Sequence, residues 1–563
     1  MPARVERTAI ACLGVLLIAS MAAPTPVGAQ TARPIAVGRT GMVASATPLA
    51  TEIGLQILEQ GGNAVDAAVA TAFALGVAEP NASGLGGGGF VLIRLRSGEV
   101  AFIDYREAAP GKATPDMYLG PDGRVRPNAT TIGHLAVAVP GTLAGLAMAL
   151  QRYGTMSLRQ VMAPSIALAE RGYAVTKTLN GIMVDNLAKL NMFPAAAAVY
   201  TKRGLPYDVG DRLVLKDLAA TYRLIASWGP DVFYRGEIAD AIVAEMARGH
   251  GLITKEDLAN YRPKLRTPVR STYRGYEIIS SPPPSSGGTH IIEALNILEG
   301  FNMTALGFQT PAALHVTAEA LKRSFADRAR YMADTDFVPV PIAGLTSKAY
   351  AETLRRTIDP NRASPAPSPG NPEPFAKSAN TSHISVVDRD GNMVALTQTI
   401  NYFFGSGVLV PGTGIMLNNE MDDFVPTPGS ANSVQAGKRP LSSMAPTIVL
   451  KDGRPFMSVG TPGATRIISA LTQIIMNIVD YNLDIQTAIE APRIHAMTRD
   501  VFLESRIPPD VREALARMGH PLQVRGEMDL YFGGAQGIVV APNGTLYGGA
   551  DPRRDGFARG IWH

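Results

Sequence analysis

The sequence has 563 residues, 46% of them apolar and 18% charged, with 52 Lys and Arg against 48 Asp and Glu for a net charge of +4. That apolar share and small net charge exclude a wholly disordered chain. The thinly spread positive excess, with no Lys/Arg run, argues against nucleic-acid binding.

Arg4 and Arg7 precede an apolar stretch over residues 9–23, and Val27-Gly28-Ala29 closes it with small residues. This is the layout of a secretory signal peptide over residues 1–29, too short and wrongly flanked for a stable membrane span, with an uncleaved anchor as the alternative. A periplasmic or secreted location follows. The only cysteine, Cys12, lies inside this leader. The mature chain would then have no thiol nucleophile and no disulfide, and must rely on core burial. A second, nearly uncharged stretch over 132–150 is broken by Pro140-Gly141 and reads as strand, turn and helix, not as a span.

Helical spacing covers 50–60, stopped by Gly61-Gly62, and resumes at Asn63 to about 77. After a glycine-rich turn, 90–95 and 100–105 read as a hairpin around Ser97-Gly98. Helical patterns then dominate from 142 to about 334. Prolines crowd 359–380 among Ser, Asn and Gly, which is a linker composition. Beyond it, 383–388 and 393–401 read as strands around Asp390-Gly391-Asn392. An isoleucine-rich helix follows at 467–478, and a last hairpin, 537–541 with 545–548, turns at Pro542-Asn543-Gly544. The chain divides at 380/381, helix-rich before and strand-rich after.

Several signatures fail. Residues 84–89 fit GxGxxG, but with a helix before and a strand after, the reverse of a dinucleotide site. Close backbone packing is the better reading. Gly111-Lys112 is followed by Ala113 where a phosphate loop needs Ser or Thr, and neither HExxH nor GxSxG occurs.

What remains is Thr381, where the linker meets a strand. A threonine hydroxyl needs an adjacent base, and cleavage before Thr381 would supply one, its own α-amine with a pKa of roughly 7.7–8.0. From spacing alone this is an ordinary strand-edge Thr; its neighbours change that balance. With the turn at 390–392, Asn401 lies opposite Thr381 and Thr399 sits diagonally on the same face. Residues 418–423 (NNEMDD) concentrate acid, as a solvated loop or a cation site. Ser442 and Ser443 supply adjacent hydroxyls. Residues 460–465 (GTPGAT) open the isoleucine-rich helix, where unpaired amides suit a forming oxyanion.

The collinear runs TSHISVVDRDGN, TQTIN, FGSG, LNNEMDDF, KRPLSSMAPT and GTPGATRI resemble the small subunit of γ-glutamyltransferases, also called γ-glutamyl transpeptidases. GLGGGGF, DYREAAPGKATPDMY, AVPGTLAGL and PPPSSGGTH resemble the upstream half of the same family, so the likeness spans 34 to about 556. It implies an α/β (α+β) fold, the four-layer αββα sandwich of N-terminal-nucleophile hydrolases, made as a proenzyme. The Asn380–Thr381 bond would be cut autocatalytically into a large chain, 30–380, and a small one, 381–563, which share one core as a heterodimer. By motif, Thr381 is the nucleophile and Thr399 its support. Arg106, Ser442 and Ser443 hold the α-carboxylate of the γ-glutamyl group, and Asn401, Glu420 and Asp423 hold its α-ammonium. The amides of Gly463 and Ala464 form the oxyanion hole. Glutathione and related compounds would be donors, water or an amino acid or peptide the acceptor, with no cofactor or metal.

Three departures bear on this. Ala464 stands where many members have a second Gly, so the hole survives only if that position needs no positive φ. The 425–438 segment is short against members with a lid loop, implying an open site, and Ser382 replaces a frequent Thr. A cephalosporin or glutaryl acylase of the same fold is the alternative, although a glutaryl chain has no ammonium for those carboxylates to hold. A non-catalytic secreted binding protein is a third reading.

Overall fold

The computed structural model describes residues 33–368 and 381–563. The leader at 1–29, with Cys12, and Asn380 with the rest of 369–380 lie outside the described residues. Among the described residues no helix is long and apolar enough to cross a membrane.

The first helix, Pro48–Glu59, starts where Thr47 accepts from the Ala50 amide and proline sets the first turn. The next, Ala64–Ala78, opens on a reciprocal Asn63/Asp66 capping box and buries every residue, which its alanine-rich composition permits. It packs on strands Thr381–Asp388 and Met393–Thr399.

Two seven-stranded antiparallel sheets form the middle of the molecule. In spatial order the first runs Phe557–Ile561, Gly41–Ser45, Thr381–Asp388, Met393–Thr399, Gly88–Arg94, Val100–Asp104 and Lys264–Arg266. The second runs Ala36–Gly38, Leu546–Ala550, Gln536–Val540, Arg454–Gly460, Thr447–Lys451, Tyr276–Ser280 and Val269–Tyr273. Both sheets therefore take strands from either side of the 380/381 boundary. One apolar core lies between the first sheet and helices such as Ala64–Ala78. A second fills the space between the sheets and beneath the helices Gly287–Leu298, Pro311–Tyr331 and Arg466–Val479. This is the expected αββα layering.

Two expectations change. The helix-dominated reading of 142–334 missed Lys264–Arg266, Val269–Tyr273 and Tyr276–Ser280, of which the last two turn tightly at Arg274 (φ 51°) and Gly275 (φ 82°). The register of the Thr381 hairpin also differs by two residues: Thr381 pairs with Thr399, not Asn401. The cause is Asp388, whose carboxylate accepts from the amides of Asp390 and Asn392 and from the Asn392 side chain, so the loop closes one residue earlier, around Gly391 at φ 81°. Asn401 is left beyond the strand end, in a left-handed conformation at φ 72°.

The row Gly86–Gly89 shows why its glycines are there. A Cβ on Gly87 would stand 1.8 Å from the Thr399 carbonyl oxygen, and one on Gly86 2.0 Å from that of Met416. Backbone approach, not phosphate binding, explains this run.

Candidate active site

Thr381 begins its strand, is 2% exposed and faces its partner Thr399 with the two hydroxyl oxygens 3.4 Å apart. Thr399 accepts in turn from the Asn401 amide at 2.7 Å. Both threonines line a cavity of about 470 Å³ that Arg106, Glu420, Asp423, Ser442, Ser443 and Ala464 also line. Asn401 stands behind it, donating through Nδ2 to the Asn419 carbonyl at 3.0 Å and to Asp423 at 3.4 Å. The 425–438 segment forms one wall, with Val425, Pro426 and Thr427 at the cavity.

Arg106 follows the strand Val100–Asp104, and the Tyr261 hydroxyl grips its carbonyl at 2.8 Å. Its guanidinium is buried and donates to the carboxylates of Glu420 and Asp423 and to the carbonyls of Pro440 (3.2 Å) and Leu441 (3.4 Å). Glu107 lies 3.6 Å from it. Burial works against the Arg106 charge, but the three carboxyls hold it protonated. Burial likewise pushes Glu107 up to about 7, against the pull of Arg106. Glu420 rises well above the carboxylate range for the same reason, opposed by Arg106 and reinforced by Glu107. Carboxyls crowded under one guanidinium do not all ionise together. Burial raises Asp423 as well, with the Arg106 charge opposing the rise.

The turn before helix Arg466–Val479 carries two successive residues of positive φ, Gly463 at 134° and Ala464 at 53°. Position 464 does take a positive φ, so the expectation that the hole would then be lost is corrected: the alanine itself adopts the conformation that glycine usually supplies and keeps its N–H. Thr465 follows at φ −58°, and this left-then-right sequence turns successive amides to one side. Among the described residues, the Gly463 and Ala464 amides donate to no protein acceptor.

Three residues escaped the sequence reading. Arg554 donates to the Thr381 carbonyl at 3.1 Å and lies 3.9 Å from Glu79. Glu79 accepts from the Ser382 hydroxyl, and burial raises it to about 7, countered by Arg554. Arg328 reaches the cavity and donates to Ser443. Residues 79, 382 and 554 share no motif, and only the folded sheet brings them together.

Away from the cavity, His315, Glu319 and His520 cluster closely enough to hold a metal ion. Their atoms are otherwise engaged. His315 bridges His520 (2.7 Å) and the Asp359 carbonyl (2.7 Å), and Lys322 and Arg323 both pair with Glu319.

The sequence matches the family described as Gamma-glutamyltranspeptidase over residues 50–561. It is 44% identical to a glutathione hydrolase proenzyme of Escherichia coli (strain K12) across 98% of both chains. It is 46% identical to the acylase ACY 1 proenzyme of Pseudomonas sp. (strain SE83), covering 92% of this chain and 93% of that one. Among solved structures, cephalosporin acylase from Bacillus halodurans superposes with a TM-score of 0.87 at 33% identity, over 97% of this chain and all of the other.

Proposed function

The chain belongs to the gamma-glutamyltranspeptidase family, and from that premise we propose that Thr381 carries its chemistry. The protein is a self-cleaving hydrolase and transferase that acts on the γ-glutamyl bond of glutathione as a two-chain enzyme. The observation that supports the site assignment is one cavity lined by two kinds of chemistry: the Thr381/Thr399 pair, and the Ser442/Ser443 hydroxyls with a guanidinium that is itself paired to carboxylates.

In maturation the Thr381 hydroxyl adds to the carbonyl of Asn380, the peptide bond breaks as the ester forms, and water releases Asn380 as a new carboxyl terminus. The freed α-amine, with a pKa of roughly 7.7–8.0, is then substantially neutral near neutral pH. In turnover it takes the proton from the Thr381 Oγ1 as that oxygen attacks the donor's γ-carbonyl. The amides of Gly463 and Ala464 receive the developing oxyanion. The proton passes to the leaving amine, and a γ-glutamyl ester remains on Thr381. Water or the amine of an amino acid or peptide then attacks the ester, giving glutamate or a new γ-glutamyl amide. Thr399 orients Thr381, Arg106 with Ser442 and Ser443 faces the α-carboxylate, and Glu420 and Asp423 face the α-ammonium, with Asn401 behind them bonded to Asp423. The large chain is 30–380 and the small chain 381–563, exported to the periplasm or medium on a leader ending at 29.

A denaturing gel tests the maturation step: wild type runs as two chains and Thr381→Ala as one. Sequencing of the small chain should start at Thr381. The similarity to acylases calls for a second comparison, release from a γ-glutamyl anilide against a glutaryl anilide. Faster glutaryl release would replace this reading with the acylase one.

A further inference from the structure

We propose that Arg328 is a second carboxylate-recognising cation of this site, acting with Ser443 on the donor's α-carboxylate. The inference rests on the γ-glutamyl reading above. Arg328 sits in the last turn of helix Pro311–Tyr331, where carbonyl ends favour a cation. Its side chain reaches the cavity that Thr381 lines. Nε donates to the Ser286 hydroxyl at 2.8 Å and Nη2 to the Ser443 hydroxyl at 3.0 Å. Among the described residues, no carboxylate lies within ion-pairing distance of its guanidinium; Asp423 acts on it only from farther away.

Arg106 is in the opposite state. Nε, Nη1 and Nη2 already donate to Pro440, Glu420, Asp423 and Leu441. The two carboxylates it donates to, Glu420 and Asp423, are the ones assigned to the substrate's ammonium. A zwitterionic amino acid end brings one charge of each sign, so the carboxylate side requires positive charge that is not already balanced. Arg328 supplies it. A cation lining a cavity with only neutral hydroxyls as partners is incompletely compensated, and an arriving carboxylate completes the pair. Arg328 also fixes the direction of Ser443: because that oxygen accepts from Nη2, its own proton is left to donate toward the cavity. Ser442 is set the same way by the Met444 amide at 3.0 Å.

The test compares two donors, a γ-glutamyl anilide and the γ-aminobutyryl anilide that lacks only the α-carboxylate, on wild type, Arg328→Gln and Arg328→Lys. Self-cleavage on a gel monitors folding. Arg328→Gln should raise KM for the γ-glutamyl donor about 10- to 100-fold, the range for a lost hydrogen bond to a charged group. Its kcat should stay within about threefold. The γ-aminobutyryl donor should be handled by variant and wild type alike, and Arg328→Lys should recover part of the lost KM. Equal losses on both donors, or an unchanged KM for the γ-glutamyl donor, would overturn the proposal. If Arg328→Gln fails to mature, Arg328→Lys alone decides. A KM rise of about threefold or more confined to the carboxylate-bearing donor supports the proposal, and no donor-selective change overturns it. Failure of wild type on the γ-glutamyl donor would instead sink the functional reading.

Discussion

Ala464 offers a sign test of the backbone at the proposed oxyanion hole. At φ 53° its Cβ is held in the left-handed region, which costs a residue with a side chain about 1–2 kcal/mol. Ala464→Gly removes that strain, while the extra freedom of glycine in the unfolded chain takes back about 0.5–1 kcal/mol. The net expectation is a gain of about 0.5–1 kcal/mol. The control is Ala470→Gly, within helix Arg466–Val479 and buried, where the same change costs about 1 kcal/mol from helix propensity alone. Urea unfolding in a Thr381→Ala background, which lacks the proposed nucleophile of self-cleavage, measures both. In the self-cleaving protein, Ala464→Gly should keep turnover within about threefold, because the amide is retained. If Ala464→Gly destabilises as much as Ala470→Gly, the left-handed assignment is wrong, and with it the orientation of the two amides.

Glu79 titrates near 7 in the fold, above its ordinary 4.5, so it favours the native state when protonated. That contribution is fully present below about 4.5 and is lost as pH rises through 7, worth at most about 3 kcal/mol. Urea midpoints at pH 5 and 8 should therefore differ less in Glu79→Gln than in wild type, and an equal difference would count against burial as the cause. Asp423→Asn should raise KM for a γ-glutamyl anilide about 10- to 100-fold while sparing a glutaryl anilide. A uniform loss on both would mean Asp423 acts through Arg106 rather than on the ammonium. Gly87→Ala must displace the Thr399 carbonyl, 1.8 Å from the new methyl carbon, and should abolish self-cleavage. Normal maturation would show that the strand gives way there.

Local grammar made much of this molecule readable. Capping at Thr47 and Asn63, the glycine punctuation after 60 and the switch from helical to alternating pattern near 380 all depend on neighbours in the chain. The hairpin register did not, because it turned on the Asp388 carboxylate gathering the Asp390 and Asn392 amides into a tighter loop, a set of side-chain hydrogen bonds that spacing alone does not reveal. The strands at 264–280 were hidden because they are short and include a half-exposed sheet edge. The motif-bearing side chains converge largely on one cavity, yet Glu79, Arg328 and Arg554 belong to no motif. Each is an ordinary charged residue until the fold brings it within reach of Thr381, Ser382 or Ser443.

Both sheets are woven from chain on either side of residue 380. A cut at the proposed 380/381 bond would leave the fragments interleaved, since parting would mean peeling one's strands out from between the other's. Two preparations carrying different tags, mixed after maturation, should keep their original pairings for as long as they stay folded. Fragments expressed apart would each begin life with gaps in both sheets.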